Sequence, residues 1–157
     1  MRILFVCMGN ICRSPTAEGV MRALLREEGL DGQIELDSAG TGNWHAGDPP
    51  DARATAAARA RGIELEGAAR QVTAADFEDF DLLLAMDREN ERELLARAPD
   101  EEARAKVRLL REFDPASVAA GDLDVPDPYY CGAQGFEQVL DLVTAACRGL
   151  LDEVRAA

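Results

Sequence analysis

Residues 7–14 near the start of the chain have the types and spacing of a phosphate-binding loop that carries a nucleophile. They read CMGNICRS, so Cys7 is followed after five residues by Arg13 and then by a serine. A tight loop before a helix directs backbone N–H groups and the positive end of the helix dipole at one place, which suits a dianion. The planar guanidinium of Arg13 can hold two phosphate oxygens at once. Because Cys7 begins the loop, we expect its sulfur at the floor of this anion site.

The same surroundings favour the thiolate form of Cys7. A thiolate beneath a bound phosphoryl group is placed for in-line attack on phosphorus. Ser14 can donate its hydroxyl to Cys7, cap the following helix, or do both. Asn10 can hold the loop by side-chain hydrogen bonds or supply a left-handed turn. The other members of the predicted phosphate loop are Met8, Gly9, Ile11 and Cys12.

A proton donor for the leaving group is expected much later in the chain, in the segment VPDPYY. A phenolate needs a proton as it leaves, and the carboxylate that remains can then activate water. Asp127 is the best candidate, because a proline on each side stiffens its loop. Tyr129 and Tyr130 are the chain's only tyrosines and Trp44 its only tryptophan. Their rings could wall a flat aromatic substrate. From the residues alone, two simpler interpretations remain open. The segment around Asp127 could be an ordinary turn with two tyrosine rings on the surface, and Trp44 could serve only to anchor its loop on the core.

These residues need a scaffold in which strands and helices alternate. Apolar runs predict strands at residues 2–6, 34–37, 81–85 and 107–110. Helices are predicted at residues 14–29, 51–61 and 87–98 and along the apolar stripe of residues 136–154. This order implies a parallel sheet with helices on both faces and a ligand site at the carboxyl ends of the strands. Residues 38–50 and 113–135 are long loops of the kind that often carry function.

The composition fits one globular domain over residues 1–157. A net charge of -13 argues against nucleic acid as a partner, so any phosphate site must be a local positive pocket. The apolar run at residues 3–6 is too short to span a bilayer and lacks a signal-peptide layout, which predicts a cytoplasmic protein with no membrane partner. Four cysteines without a CxxC pair, and one histidine, predict neither a metal nor another cofactor.

Taken together, the motifs resemble those of the low-molecular-weight protein tyrosine phosphatases over nearly the whole chain. The segments that carry the resemblance are FVCMGNICRSPTAEG, DSAGTGNWHAGDPPD, ARQVTAADFEDFD, AMDREN and VPDPYY. The resemblance implies an α/β fold, a four-stranded parallel sheet with helices on both faces, and hydrolysis of phosphotyrosine through a phosphocysteine. By motif position it assigns the nucleophile to Cys7, the phosphate clamp to Arg13, and the general acid and base to Asp127.

The resemblance also implies roles for the residues around this catalytic set. Ser14 and Asn10 become stabilisers of the loop and the thiolate. Cys12 is similar to the family's second loop cysteine, which forms a reversible, protective disulfide with Cys7 under oxidant. The walls of the substrate cleft become Ile11, Trp44, Tyr129 and Tyr130. The expected partner is a phosphotyrosine-containing protein, with a bacterial-type tyrosine kinase as the candidate, and the default state is a monomer.

One departure from the family concerns the support of Asn10. Family members commonly carry a histidine shortly before the ARQ segment, whereas residues 65–71 here read LEGAARQ. The hydrogen bonds behind Asn10 are therefore in doubt. We expect a softer loop and a Cys7 that ionises less readily than in relatives.

Three other functions remain open at this point. The protein arginine phosphatases of the same fold tend to carry Thr where this chain has Ile11, and they lack the tyrosine pair. The arsenate reductases need two further cysteines, and the sequence has none between Cys12 and Cys131. A non-catalytic phosphotyrosine-binding module would need neither Cys7 nor Asp127. These differences favour a phosphotyrosine phosphatase.

Overall fold

The centre of the molecule is a sheet of four parallel strands in the order β2-β1-β3-β4, within residues 1–156, which the computed structural model describes. The strands are β1 (Arg2–Cys7), β2 (Glu35–Gly40), β3 (Leu82–Ala85) and β4 (Val107–Leu109). Val6 of β1 pairs with Ala39 on one side and with Ala85 on the other. The chain leaves β1 between two neighbouring strands, which is the place where parallel sheets bind ligands.

Seven α-helices surround the sheet within the described residues. They are α1 (Arg13–Glu27), α2 (Ala52–Arg59), α3 (Asp76–Asp79), α4 (Arg88–Arg97), α5 (Glu101–Ala105), α6 (Pro115–Ala120) and α7 (Ala133–Ala156). A 3-10 turn, Leu110–Phe113, follows β4. Among these helices, α7 included, none has both the length and the apolar character that crossing a membrane requires.

The alternation of side chains along β1 divides the core in two. Ile3 and Phe5 belong to the apolar cluster that contains the buried faces of α1, α2 and α7. Leu4 and Val6 point to the other face, where they join residues of α3, α4 and α5. Burying side chains of this size stabilises the fold by about 1.5–3 kcal/mol each. The predicted layers, with helices on both faces of a four-stranded parallel sheet, are confirmed.

Several local predictions differ from the structure. β2 continues to Gly40, into a stretch that was expected to be a loop. β4 ends at Leu109, one residue earlier than predicted, because a 3-10 turn begins at Leu110. The short helices α3, α5 and α6 were not predicted, and α6 lies inside the expected loop of residues 113–135. Helices of four to six residues span less than two turns, so they show no periodic apolar stripe.

The predicted role of Ser14 as the N-cap of α1 is wrong. The helix begins at Arg13, with Cys12 in the cap position and no side-chain cap hydrogen bond. Ser14 is fully buried inside the first turn. The physical reason is that its hydroxyl is used by the loop before the helix, as described below.

A close contact between α7 and the 3-10 turn requires glycine at position 149. A Cβ built on Gly149 would lie 1.8 Å from the carbonyl oxygen of Phe113. We expect Gly149→Ala to lower the free energy of unfolding by about 1–3 kcal/mol, because helix or turn must move. Urea denaturation measures this. The control is Gly32→Ala, where a Cβ meets nothing within 4 Å and stability should stay level or rise by up to about 1 kcal/mol. Equal losses in the two variants would contradict the prediction.

Candidate active site

The loop after β1 gives the Cys7 sulfur two hydrogen-bond donors. The backbone N–H of Asn10 donates to Cys7 Sγ at 3.3 Å, and Ser14 Oγ lies 3.0 Å from the same sulfur. Asn10 Nδ2 donates to Ser14 Oγ at 2.8 Å. Because that hydroxyl oxygen already accepts a hydrogen bond, its own hydrogen is free to point at the sulfur. Two hydrogen-bond donors are therefore directed at the Cys7 sulfur.

Asn10 is held without the histidine that family members commonly carry. Its Nδ2 also donates to Ser38 Oγ at 3.0 Å, and its Oδ1 accepts from the backbone N–H of Arg70 at 3.0 Å. The φ angle of Asn10 is 59°, so this residue both turns the loop and holds it. The network that was in doubt is complete, because a β2 serine and a backbone N–H supply its partners. The expected softening of the loop therefore has no basis in the structure, whereas the weaker ionisation of Cys7 stays a prediction.

Arg13 is fixed in place by Asp87, a residue for which sequence reasoning predicted no role. Arg13 Nη1 donates to Asp87 Oδ2 at 2.6 Å and to the carbonyl oxygen of Val125 at 3.0 Å. Burial by itself lowers the pKa of the Arg13 guanidinium, but the negative charges of Cys7, Asp87 and Asp127 outweigh this effect and raise the pKa above its ordinary value. Arg13 is therefore a permanent cation. The signal that could have found Asp87 is a carboxylate two residues after the end of β3, a strand that pairs with β1.

A cleft of about 240 Å³ above Cys7 brings the predicted residues together. It is lined by Cys7, Met8, Gly9, Asn10, Ile11, Cys12 and Arg13 from the loop, and by Trp44, His45, Asp127, Tyr129 and Tyr130 from the two long segments. Ser14 is the one predicted site residue that does not line it, because it contacts the Cys7 sulfur from inside the protein. His45 was not predicted to take part, and its Nδ1 lies 3.3 Å from Asp48 Oδ2.

Asp127 lies at the mouth of the cleft between Arg13 and Tyr129. Its Oδ2 is 3.9 Å from Arg13 Nη2, and its Oδ1 accepts from the backbone N–H of Tyr129 at 3.1 Å. The side chain is 42% exposed, so a bound molecule and water can both reach the carboxyl group. This position suits a group that exchanges protons near a phosphate held by Arg13.

Three exposed rings surround the mouth. Tyr129 and Tyr130 stack edge to face with centroids 4.9 Å apart. Arg53, which sequence reasoning missed, lies 5.2 Å over the Tyr129 ring and donates to the Tyr129 carbonyl at 2.9 Å. Tyr130 is 94% exposed and Trp44 60% exposed. Large rings at this exposure are available to pack against a flat group in the cleft.

The two loop cysteines differ in their chemistry. Burial, together with the negative charges of Asp51, Cys7 and Asp127, raises the pKa of the Cys12 thiol to about 12. Cys12 is therefore a neutral thiol at physiological pH. All four cysteines are free. Complete burial likewise raises the pKa of Cys147, which packs against α1.

The sheet, the loop and the cleft define the class of small α/β phosphatases, and comparison with known proteins makes this specific. The sequence model of the family described as "Low molecular weight phosphotyrosine protein phosphatase" matches residues 2–157. The chain belongs to this family of phosphoric monoester hydrolases.

Individual relatives agree with this assignment. The low molecular weight protein-tyrosine-phosphatase of Streptomyces coelicolor is 53% identical over 154 residues, which cover 98% of this chain and 93% of the relative. The solved structure of a protein tyrosine phosphatase from Entamoeba histolytica superposes with a TM-score of 0.94 at 38% identity, covering 99% of this chain and 97% of that one. An arginine phosphatase from Drosophila has a TM-score of 0.90 at 32% identity, covering 98% of each chain. The predicted family, fold and enzyme class are confirmed.

Asp87 should act on the reaction by positioning Arg13. Asp87→Asn keeps an oxygen for the helix cap but replaces the charged acceptor of Arg13, so kcat/KM for p-nitrophenyl phosphate should fall about tenfold or more. The competitive inhibition constant of inorganic phosphate should weaken in parallel, with little change in melting temperature.

Asp100→Asn is the matched control for this variant. Asp100 caps α5 with a contact of 2.8 Å to the Ala103 N–H, as Asp87 Oδ1 caps α4 with 2.8 Å to the Asn90 N–H. Asp100 does not line the cleft. Equal kinetic constants for the two variants would show that Asp87 is no more than a helix cap.

Proposed function

We propose that this protein hydrolyses phosphotyrosine in proteins through a phosphocysteine intermediate. Cys7 is the nucleophile, Arg13 the phosphate clamp, and Asp127 the acid and then the base. The observation that carries the proposal is the placement of Cys7 Sγ. Two donors hold it at the floor of a cleft that has a buried guanidinium and an accessible carboxyl group above it.

In the first step, the Cys7 thiolate attacks phosphorus while the phosphate oxygens lie against the loop N–H groups and Arg13. A P–S bond forms and the bond between phosphorus and the phenolic oxygen breaks. Asp127 enters as the carboxylic acid and gives its proton to the leaving oxygen, so tyrosine departs neutral. Preorganised donors and Arg13 stabilise the charge that develops on the phosphoryl oxygens. The loop therefore supplies the positive charge that brings two anions together.

In the second step, Asp127 is a carboxylate and accepts a proton from water. The water oxygen attacks phosphorus, the P–S bond breaks, and inorganic phosphate leaves. The electron pair returns to the Cys7 sulfur, where the Ser14 hydroxyl and the Asn10 N–H stabilise it. The distance of 3.9 Å between Asp127 Oδ2 and Arg13 Nη2 supports one carboxyl group serving both steps beside the same phosphoryl group.

The substrate follows from the walls of the cleft. Trp44, Tyr129 and Tyr130 offer exposed aromatic surface, and Ile11 adds an apolar side chain to the loop. These surfaces suit an aryl phosphate, and we place a phosphotyrosine-containing protein, with a bacterial-type tyrosine kinase as the candidate, in the role of partner. A catalytic thiolate has to stay reduced, which supports a cytoplasmic enzyme. We keep the monomer as its working state.

Turnover of p-nitrophenyl phosphate and of a phosphotyrosine peptide, with EDTA present, tests the mechanism. We expect wild type to hydrolyse both, Cys7→Ser to hydrolyse neither, and Asp127→Ala to lose about 10²–10⁴ in kcat on the peptide. The loss on p-nitrophenyl phosphate should be smaller, because its leaving group needs protonation less.

Cys131→Ser is the control, since Cys131 is exposed and does not line the cleft. A mass increase of one phosphoryl group on Cys7 in rapidly quenched Asp127→Ala would support the intermediate. If wild type hydrolyses phosphoarginine peptides and not phosphotyrosine peptides, the substrate proposal is wrong.

The two loop cysteines should make the enzyme sensitive to oxidants. Peroxide converts the Cys7 thiolate to a sulfenic acid, and the Cys12 thiol then attacks that sulfur, forming a disulfide and releasing water. Both residues line the same cleft, and charge on Cys7 helps to raise the pKa of Cys12, which supports their proximity.

We expect peroxide-treated wild type to regain full activity with dithiothreitol. The Cys12→Ser variant should lose its activity irreversibly. Its Cys7 sulfenic acid has no neighbouring thiol with which to form a disulfide, so it oxidises further. Cys131→Ser, the control, should recover like wild type. Full recovery of Cys12→Ser would show that Cys12 does not protect the nucleophile.

A further inference from the structure

A second pocket of about 240 Å³ lies beside the catalytic cleft and shares Met8 and Trp44 with it. Its remaining walls come from the residues after β2 and from α4, and we call it the α4 pocket. Because the two pockets share a wall, a peptide whose phosphotyrosine fills the cleft can place a neighbouring side chain in the α4 pocket. Consecutive Cα atoms are about 3.8 Å apart, so this side chain belongs to a residue close to the phosphotyrosine.

The charges of the α4 pocket suit a cation. Arg97 is its one basic residue, and Nη2 of Arg97 donates to the Thr41 carbonyl at 2.8 Å and lies 3.4 Å from Glu93 Oε2. Glu89 also lines the pocket, and the adjacent Arg88 pairs with Glu91 at 3.9 Å instead. Glu93 therefore offsets the positive charge of Arg97, and the carboxylate of Glu89 leaves the pocket with a net negative charge. The exposed ring of Trp44 adds a face that attracts a cation.

Asn90 is an independent sign of a missing hydrogen-bond donor. It is 2% exposed and borders the α4 pocket, while its backbone N–H is used in the cap of α4. Its side-chain Oδ1 is buried and accepts no hydrogen bond from any described residue. Buried amide oxygens in folded proteins are nearly always paired, so the Asn90 oxygen is a free acceptor that a donor in the pocket can satisfy if the amide turns toward it.

We infer that the α4 pocket binds a lysine or arginine side chain next to the phosphotyrosine of the substrate, and so sets the sequence preference of the enzyme. This inference rests on the proposed function. An ammonium or guanidinium group carries the donors that Asn90 lacks and the charge that Glu89 attracts. The net charge of -13 works in the same direction, because it draws basic segments to the surface.

Binding can be measured without turnover because Trp44, which lines both pockets, is the chain's only tryptophan. In the Cys7→Ser background, Trp44 fluorescence gives the Kd of phosphotyrosine peptides with Lys, Ala or Glu at each of the two positions on either side. At one position, Lys should bind about fivefold tighter than Ala, and Glu more weakly than Ala. Glu89→Gln should remove most of this preference and Glu89→Lys should reverse it. About 0.5 M salt should weaken it.

Glu27→Gln and Glu27→Lys are the matched controls. Glu27 is an exposed carboxylate at the last residue of α1, and the 15 residues of this helix separate it by about 20 Å from Arg13 in the cleft. These variants change the net charge equally but should keep the preference for Lys. The substrate p-nitrophenyl phosphate is small enough to occupy only the catalytic cleft. Its kcat and KM should therefore be the same for wild type, Glu89→Gln and Glu27→Gln.

The outcomes separate the two proposals. If wild type does not hydrolyse p-nitrophenyl phosphate, the proposed function fails, and the peptide affinities still decide the fate of the α4 pocket. If hydrolysis is normal but no position prefers Lys, the inference is overturned while the function stands. If Glu89→Lys and Glu27→Lys change the preference for Lys equally, the preference comes from the overall charge of the protein, and the inference is also overturned. A preference for Glu would show that Arg97 dominates the pocket, which would also overturn it.

Discussion

A thiolate and a phosphate dianion repel each other, and under the proposed mechanism they must meet inside a chain whose net charge is -13. The fold answers this repulsion locally. Central β1 delivers Cys7 to the edge of the sheet, and α1 starts within the same loop, so backbone donors and a helix N-terminus converge on one point. Ser14 does not act as the N-cap of α1, as a serine at a helix start often does, and its hydroxyl contacts the Cys7 sulfur instead. The position of β1 and the length of the loop follow from this requirement.

The positive charge of Arg13 is itself controlled by carboxylates. Asp87 and Asp127 offset part of that charge, yet they fix the direction of the guanidinium and keep it protonated despite burial. A free arginine would have many rotamers, and ordering it on binding would cost entropy. An arginine already held by Asp87 and the Val125 carbonyl is in place before a phosphate arrives. Preorganisation of this kind is what electrostatic catalysis requires.

A site residue could be predicted from the sequence when the residues that it contacts are close to it along the chain. Cys7 and Arg13 lie in one short motif, and the succession of strands and helices followed from apolar runs along the chain, so both were predictable. Asp87 escaped because it meets Arg13 only once β3 and β1 lie side by side. The doubt about Asn10 arose because the sequence shows a missing histidine but not the backbone N–H of Arg70 that takes part instead. Donors that belong to the backbone leave no trace in residue types.

Asp87 joins two events that could have been separate. One oxygen of its carboxylate starts α4 by accepting the Asn90 N–H, and the other holds Arg13. Under the proposed mechanism, Arg13 is therefore aligned for phosphate only in molecules where α4 has docked on the sheet. A copy in which α4 has left the sheet still has the Cys7 thiol, but under the proposed mechanism it has lost the aligned arginine that binds the phosphate. Such a copy is expected to be inactive, so a single carboxylate links the folding of α4 to the binding of phosphate.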